Sequence, residues 1–221
     1  MEIRKFRSHY GLELITASHS GINLGDLVWD PLIGSPGFSH PGMPNTIYTA
    51  FLDAGLIDEE EFQLFKNDCT GTELIPAHFA DKKVDVDTDL LTDLKHPVLG
   101  QIQGNFTLES ISKFRFGELQ VRLMEDLLRV KIDQYLEAMK AKKWVEYDGR
   151  IRRVNIITEL YYGSIKLIIE KSLSSSLDMA LEKTGIQAVS RNESSTSVEY
   201  EFSHDNVPFA MRIERVRTFN G

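Results

Sequence analysis

The sequence predicts an α+β fold: a twisted, mainly antiparallel sheet with flanking helices and two extension regions able to form β-hairpins. Helical and strand periodicities fall in separate runs of the chain, which is the pattern of an α+β protein. Two stretches, 82–117 and 152–203, alternate polar and apolar side chains over more residues than an average strand holds. Between them, residues 118–140 turn to a helical apolar period. The 221 residues are read as a single domain, 1–221, large enough to bury a core without a disulfide or metal staple.

Residues 1–10 read as a short helix with Ile3, Phe6 and Tyr10 on one side, ended by Gly11. LELITASHSGINLGDLVW (12–29) reads as one or two strands with turns at Ser20-Gly21 and Gly25-Asp26, and 30–44 as a Pro/Gly-rich loop. Pro44 and Asn45 open a helix that stops at Gly55. A second helix follows, with Asp58 as N-cap and Glu61 three residues on as a capping box. Residues 82–91 alternate strictly, and 100–117 alternate again. The helix expected over 118–140 carries Leu119, Leu123, Leu127 and Val130, with Leu128, Ile132, Tyr135 and Met139 beside them. A long strand is expected over 152–170 and a short helix over 174–185, ending at Gly185. SVEYEF (197–202) and VPFAMRIERV (207–216) close the chain as strands.

Composition narrows the function classes. The chain is 42% hydrophobic and 26% charged, ordinary for a globular protein. Its single cysteine, Cys69, excludes an internal disulfide and reads as a small buried side chain. The start lacks an apolar signal segment, and no run approaches the ~18 apolar residues of a spanning helix. A net charge of −8 argues against nucleic acid as partner. The charge is segregated: Asp53 to Asp93 holds twelve acids against three lysines. The bases cluster at Arg4, Lys5 and Arg7, and at Lys140, Lys142, Lys143, Arg150, Arg152 and Arg153, each group beside aromatic residues.

Chemistry-bearing motifs are missing. There is no phosphate-cradling glycine pattern and no nucleophile elbow, and the six histidines never form a zinc-ligand pair on one helix face. Asp85, Asp87 and Asp89 resemble the start of a calcium loop, but Leu90 stands where glycine is needed and His96 where glutamate is needed. No catalytic residue, metal or cofactor is expected, and the chain reads as a non-enzyme.

The informative feature is strand length with side-chain parity. Val84 and Val86 face one way and Asp85 and Asp87 the other; Ile102, Phe106, Leu108, Phe114 and Phe116 share a face opposite Gln103, Asn105, Thr107, Glu109, Lys113 and Arg115, with Ile111 the exception on that polar face. A barrel strand crosses a bilayer with about 9–11 residues, apolar outward and polar toward the lumen, so these segments suit one such hairpin. In a second, Val154, Ile156, Leu160 and Tyr162 share a parity, which passes to Ile165, Leu167 and Ile169 at Gly163, where a β-bulge would restore a single apolar face. Its return strand carries Val198, Tyr200 and Phe202, although SRNESSTS in its middle is too polar to face lipid. Half-buried strands of any soluble antiparallel sheet alternate in the same way.

Taken in order, the chain resembles the pore-forming domain of gasdermins. It has a short basic N-terminal helix, a strand ending LGDLVW, and a polar extension. A long strand closing on FRFG (114–117), a helix of about twenty residues and the Arg-flanked strand VNIITEL follow, and a small helical insert and closing strands complete it. The resemblance implies a protein that binds acidic phospholipid and oligomerises, with itself or with a related chain. It then unfurls two extension regions into hairpins of a large β-barrel, causing cell death. Such a protein is cytoplasmic when soluble and at the plasma membrane when active. By the same resemblance Arg4, Lys5 and Arg7, with Phe6 as apolar anchor, form one lipid-binding patch. Lys140, Lys142, Lys143, Arg150, Arg152 and Arg153, flanked by Trp144 and Tyr147, form the other. Each base near an anionic leaflet contributes about 1 kcal/mol. Family members usually carry a C-terminal inhibitory segment, and bacterial ones an N-terminal lipidated cysteine. This chain shows neither, which implies an active form or control by a matched partner. The rival expectation is a non-enzymatic α+β scaffold whose acidic 53–93 region binds a basic partner.

Overall fold

The computed structural model describes residues 3–15, 21–29, 45–71, 73–77, 84–86, 91, 97–143, 147, 149–203 and 207–221, the side chains of 3–5 and 97 excepted. The expected loop at 30–44 and the acidic positions 87–89 lie outside them, as does Trp144. In chain order the helices are α1 (Ile3–Tyr10), α2 (Ile47–Asp53), α3 (Glu59–Thr70), α4 (Pro97–Ile102), α5 (Asp126–Ala141) and α6 (Ser174–Thr184). The strands are β1 (Glu13–Leu14), β2 (Leu27–Val28), β3 (Ile75–Pro76), β4 (Val84–Val86), β5 (Ile111–Leu123), β6 (Asn155–Glu170), β7 (Ser190–Glu193), β8 (Ser197–Phe202) and β9 (Ala210–Arg215). They form one mainly antiparallel sheet with main path β1-β9-β6-β5-β3; β2 and β8 also pair with β6, β4 with β5, and β7 with β8. The fold is α+β, as the separated periodicities require.

Two compact units are present. The first gathers Met1–Ser18, Pro76–Val121 and Tyr161–Ala210; the second gathers His19–Ile75, Arg122–Leu160 and Met211–Gly221. In the first, α1 buries Phe6 against Tyr10, ring centroids 4.9 Å apart, and Gly11 ends the helix at φ +66°. Phe116 stacks on Phe209 at 3.8 Å. In the second, Phe51 of α2, Phe65 of α3 and Tyr135 of α5 meet with centroids 5.2–5.9 Å apart. Asp58 caps α3 by accepting from the Glu61 N–H at 2.9 Å. The Glu61 carboxylate accepts instead from the Tyr135 hydroxyl at 2.6 Å, which with burial pushes the Tyr135 phenol up to about 12. Thus the side chain expected to complete a capping box ties α3 to α5.

Where two expected elements differ, the reasons are local. The strand expected over 100–117 begins only at Ile111. Before it, α4 starts at Pro97, a favoured first helical position, and the chain turns at Gly104-Asn105. Ile102 and Phe106 are four residues apart, a spacing that suits a helix turn as well as a strand face, and Phe106 N–H donates to Ile102 O at 2.9 Å. The helix expected from 118 begins at Asp126, because β5 runs on to Leu123. Leu119 and Leu123 therefore belong to the strand, and the buried stripe of α5 is Leu128, Ile132, Leu136 and Met139. Leu127 is 82% exposed.

Candidate membrane-insertion strands and basic clusters

The first expected hairpin exists in part. β4 pairs antiparallel with β5 as Val84↔Phe116, Asp85↔Arg115 and Val86↔Phe114. The valines and phenylalanines are buried on one face. On the other, the Arg115 guanidinium lies 2.5 Å from the Asp85 carboxylate. Asp85 therefore serves an ion pair, not a calcium loop. Ile102, Phe106 and Leu108 are buried too, but on the end of α4, the following turn and a 3-10 turn. Expected on a lipid-facing strand, they pair with no strand here.

β5 changes parity within itself. Phe114 and Phe116 are buried before Gly117, Leu119 and Val121 after it, and Glu118 takes φ +46° at the switch. That shift is the work of a bulge, and it falls on β5, across from Gly163, where the sequence places it on β6. Gly163 is there for space: a Cβ would lie 2.7 Å from Gly117 O.

The second hairpin is the better formed. β6 and β8 pair as Ile165↔Phe202, Lys166↔Glu201, Leu167↔Tyr200, Ile168↔Glu199, Ile169↔Val198 and Glu170↔Ser197. Ile165, Leu167, Ile169, Val198, Tyr200 and Phe202 are buried. On the opposite face Lys166 Nζ lies 3.1 Å from the Glu201 carboxylate and 3.8 Å from that of Glu199. Burial alone would raise the Glu201 carboxyl; hydrogen bonds from Ser164, Lys166 and Ser190 outweigh it and hold the group below the usual range. SRNESSTS (190–197) is strand β7 and the turn into β8, a smaller hairpin closed by Ser194 Oγ accepting from the Ser197 N–H at 2.9 Å. Its polarity is that of an exposed edge strand and its turn.

Helix α6 meets the apolar face at Tyr200 and packs beside α4. The Tyr200 hydroxyl, on that face, donates to Asp178 Oδ1 at 2.8 Å and lies 3.3 Å from Ser174 O. Leu177, Ala180 and Leu181 are the buried side of α6, and Gly185 ends it at φ +70°. Arg191, opposite Tyr200 in the β7–β8 register, sits 5.6 Å over the Tyr200 ring and 3.7 Å from Asp178. Sequence reasoning counts Tyr200 only as an apolar strand position. The one signal of this clasp is its hydroxyl, which needs a partner when buried.

The N-terminal half of β6 is different. Asn155, Ile156, Ile157 and Thr158 are all buried, with Val154 and Leu160 flanking them. Leu27↔Ile156 and Val28↔Asn155 pair with β2, and Met124 N–H donates to Thr158 O at 2.9 Å. Val154, Ile156 and Leu160, expected on a lipid-facing strand, belong to a segment covered on both sides and without the alternation such a strand requires.

The basic clusters are partly engaged. Phe6, the expected membrane anchor, is 1% exposed and packs within its unit; the Arg4 and Lys5 side chains lie outside the described ones. Arg7 pairs with the buried Glu13 carboxylate at 2.5 Å. Lys140 pairs with Glu137 one turn back, and Lys142 Nζ donates to Gly55 O at 3.2 Å. Lys143, Arg150, Arg152 and Arg153 are exposed. Tyr147, expected beside them as an aromatic flank, is buried.

One buried titratable group stands apart. Asp26 accepts from the Asn23 N–H at 2.9 Å, and burial pushes its carboxyl up to about 7. Nearby, burial pushes the Cys69 thiol up to about 12, the reverse of an activated thiolate. Among the described residues no three His, Cys, Asp or Glu side chains gather as metal ligands, and no helix is long and apolar enough to cross a membrane. No protein-family model matches the chain, and no curated protein matches it.

Proposed function

We propose that this chain is a membrane pore-former of the gasdermin type. It binds acidic phospholipid, oligomerises with itself or a related chain, and inserts β-hairpins that permeabilise the membrane and kill the cell. In this reading it is cytoplasmic until it acts at the plasma membrane. The observation that carries the reading is the β6–β8 pair, with every second residue apolar and buried and an opposite face that is charged except at Ile168 and Ser197. The short helix α6, which follows β6 in sequence, meets the apolar side at Tyr200 of β8. Such a pair needs no new side-chain sorting to exchange a helix for lipid. Its six paired positions fall short of the about 9–11 residues that span a bilayer. Unwinding α6 and straightening β7 with β8 supplies the remainder. The β4–β5 pair, sorted in the same way, is the second hairpin. The segment 155–160 stays with its unit as the fixed end.

Dye release from vesicles tests this. Acidic-phospholipid vesicles leak at micromolar protein while neutral ones stay sealed; intact acidic vesicles at that concentration refute the reading. Arg4→Glu with Lys5→Glu abolishes vesicle binding and leaves the far-UV spectrum unchanged. Retained binding would remove the N-terminal cluster from the mechanism.

A further inference from the structure

Strand β7 belongs to the first unit and, among the described residues, pairs with β8 alone. Its four residues, Ser190-Arg191-Asn192-Glu193, leave a second edge open, and Arg191, Asn192 and Glu193 are exposed.

The ladder with β8 decides which backbone groups that edge carries. Ser194 N–H donates to Ser197 O at 2.8 Å, so these two form a hydrogen-bonded pair. Such pairs alternate along an antiparallel ladder, and the next is Asn192↔Glu199. Arg191↔Tyr200 and Glu193↔Val198 fall between them, so the N–H and C=O groups of Arg191 and Glu193 point away from β8. Among the described residues none bonds to these outward groups.

Sheet edges are commonly protected by charge that repels a second edge. Here the two signs are mixed, and their order is self-complementary. About a two-fold axis at Asn192, an antiparallel copy sets its Glu193 opposite Arg191 and its Arg191 opposite Glu193. The same register makes both into hydrogen-bonded pairs, as the outward groups require, and leaves Asn192 facing its counterpart in the non-bonded pair between. A shift by one residue sets outward groups against inward ones. A shift by two sets Arg191 against Arg191 or Glu193 against Glu193, which like charges oppose.

The contacts these side chains already make stay in place. Arg191 lies 3.1 Å from Glu193 of its own strand, 3.7 Å from Asp178 of α6 and over the Tyr200 ring, and Lys171 pairs with Glu193. Arg191 and Glu193 are nevertheless 41% and 40% exposed. The charges of a second copy therefore extend a network of alternating sign.

We propose that the chain forms a two-fold dimer in solution by antiparallel pairing of β7 with β7 of a second copy. The contact is isologous and closes at two copies. Its size makes it weak, with a Kd on the order of 10⁻⁴ M. The inference concerns the free chain and goes beyond the pore reading; dye release bears on neither of its outcomes.

Sedimentation velocity of the full chain tests it. Wild type shifts toward dimer as its concentration rises. Arg191→Glu alone and Glu193→Arg alone set like charges opposite each other, and each loses association by about tenfold or more. An equimolar mixture of the two recovers it, because every opposed pair is then of opposite sign. Both changes in one chain exchange the signs and also keep the dimer. Asn192→Cys, at the axis, forms an intermolecular disulfide under mild oxidation faster than Thr196→Cys in the exposed turn, since facing residues of a non-bonded pair lie within disulfide reach. The buried Cys69 takes no part. A wild type that stays monomeric at about 1 mM, ten times the expected Kd, overturns the dimer. So do folded single variants that associate like wild type, a mixture that fails to recover, or equal crosslinking at 192 and 196.

Discussion

From Asn155 to Thr158, β6 is enclosed on both faces; from Ile165 to Glu170, the same strand buries one face and leaves the other charged or half exposed. The first stretch is tied to β2, and Gly25 N–H donates to Ile157 O at 2.9 Å. The second is paired with β8, whose Tyr200 meets Asp178 of α6. Both are apolar, and apolar length alone would rank them equally. What separates them is the state each can adopt next. A strand with two covered faces has no polar side to turn toward a lumen, so leaving its unit exposes core on both sides. A strand with one largely polar face keeps that face for water and has one apolar face to cover again. Burying a leucine contributes about 1.5–3 kcal/mol, so Leu177 and Leu181 hold α6 by a few kcal/mol. A lipid surface offers a comparable gain.

Breaking the fixed region has the largest expected effect. Phe51, fully buried between Phe65 and Tyr135, costs about 3–5 kcal/mol of stability when truncated to alanine. The urea midpoint falls, while folded Phe51→Ala releases dye at the wild-type protein concentration. If its threshold drops as far as that of an α6 variant, the two regions are not functionally distinct.

Asp26 sharpens the same contrast through pH. Its carboxyl is raised from 3.8 to about 7 by burial, so between those values the native state holds a proton that the unfolded chain releases. Its contribution to stability is greatest at acid pH and falls as pH rises, by on the order of 4 kcal/mol in all. Asp26→Asn keeps an oxygen for the Asn23 N–H and removes the titration. Relative to wild type it is therefore stabilised progressively from pH 4 to 8, as urea titrations at several pH values show. A difference that does not change with pH would sink the assignment.

Leu177→Ala acts on the movable region. It costs about 2–3 kcal/mol, the lower part of the range for a buried leucine, because a surface helix can settle onto its sheet. Unlike Phe51→Ala, it lowers the protein concentration at which acidic vesicles leak. An unchanged threshold, with stability reduced, would mean that α6 is not what restrains the strands.

Much of this contrast is legible in the residues. The alternation of Ile165, Leu167 and Ile169 with Lys166 and Glu170, broken only at Ile168, marks a one-sided strand; Asp58 starts its helix, and Gly11 and Gly185 end theirs, where their chemistry says. The pairing of Val84 and Val86 with Phe114 and Phe116 is implied by matching parity. Other features are not legible, for identifiable reasons. Ile102 and Phe106 satisfy both a strand face and a helix turn, and only the Pro97 start and the Gly104-Asn105 turn decide between them. Leu119 and Leu123 have helical spacing but lie beyond a bulge at Glu118, whose left-handed backbone no residue type announces. Phe6 looks like a membrane anchor because helix periodicity gives a face without saying what covers it.

The smallest expected effect isolates the clasp on α6. Tyr200→Phe keeps the ring on the apolar face of β8 and removes the hydroxyl that donates to Asp178. An intramolecular hydrogen bond of this kind contributes about 0.5–1.5 kcal/mol, so the urea midpoint shifts slightly while α6 stays in place. Asp178→Asn keeps an acceptor for the hydroxyl but loses the charge that faces Arg191. The two changes act on one contact network, so their combined effect on the leakage threshold is smaller than the sum of the separate effects. Additive thresholds would place Tyr200 and Asp178 in separate roles, and β6–β8 would then be restrained by apolar burial under α6 alone.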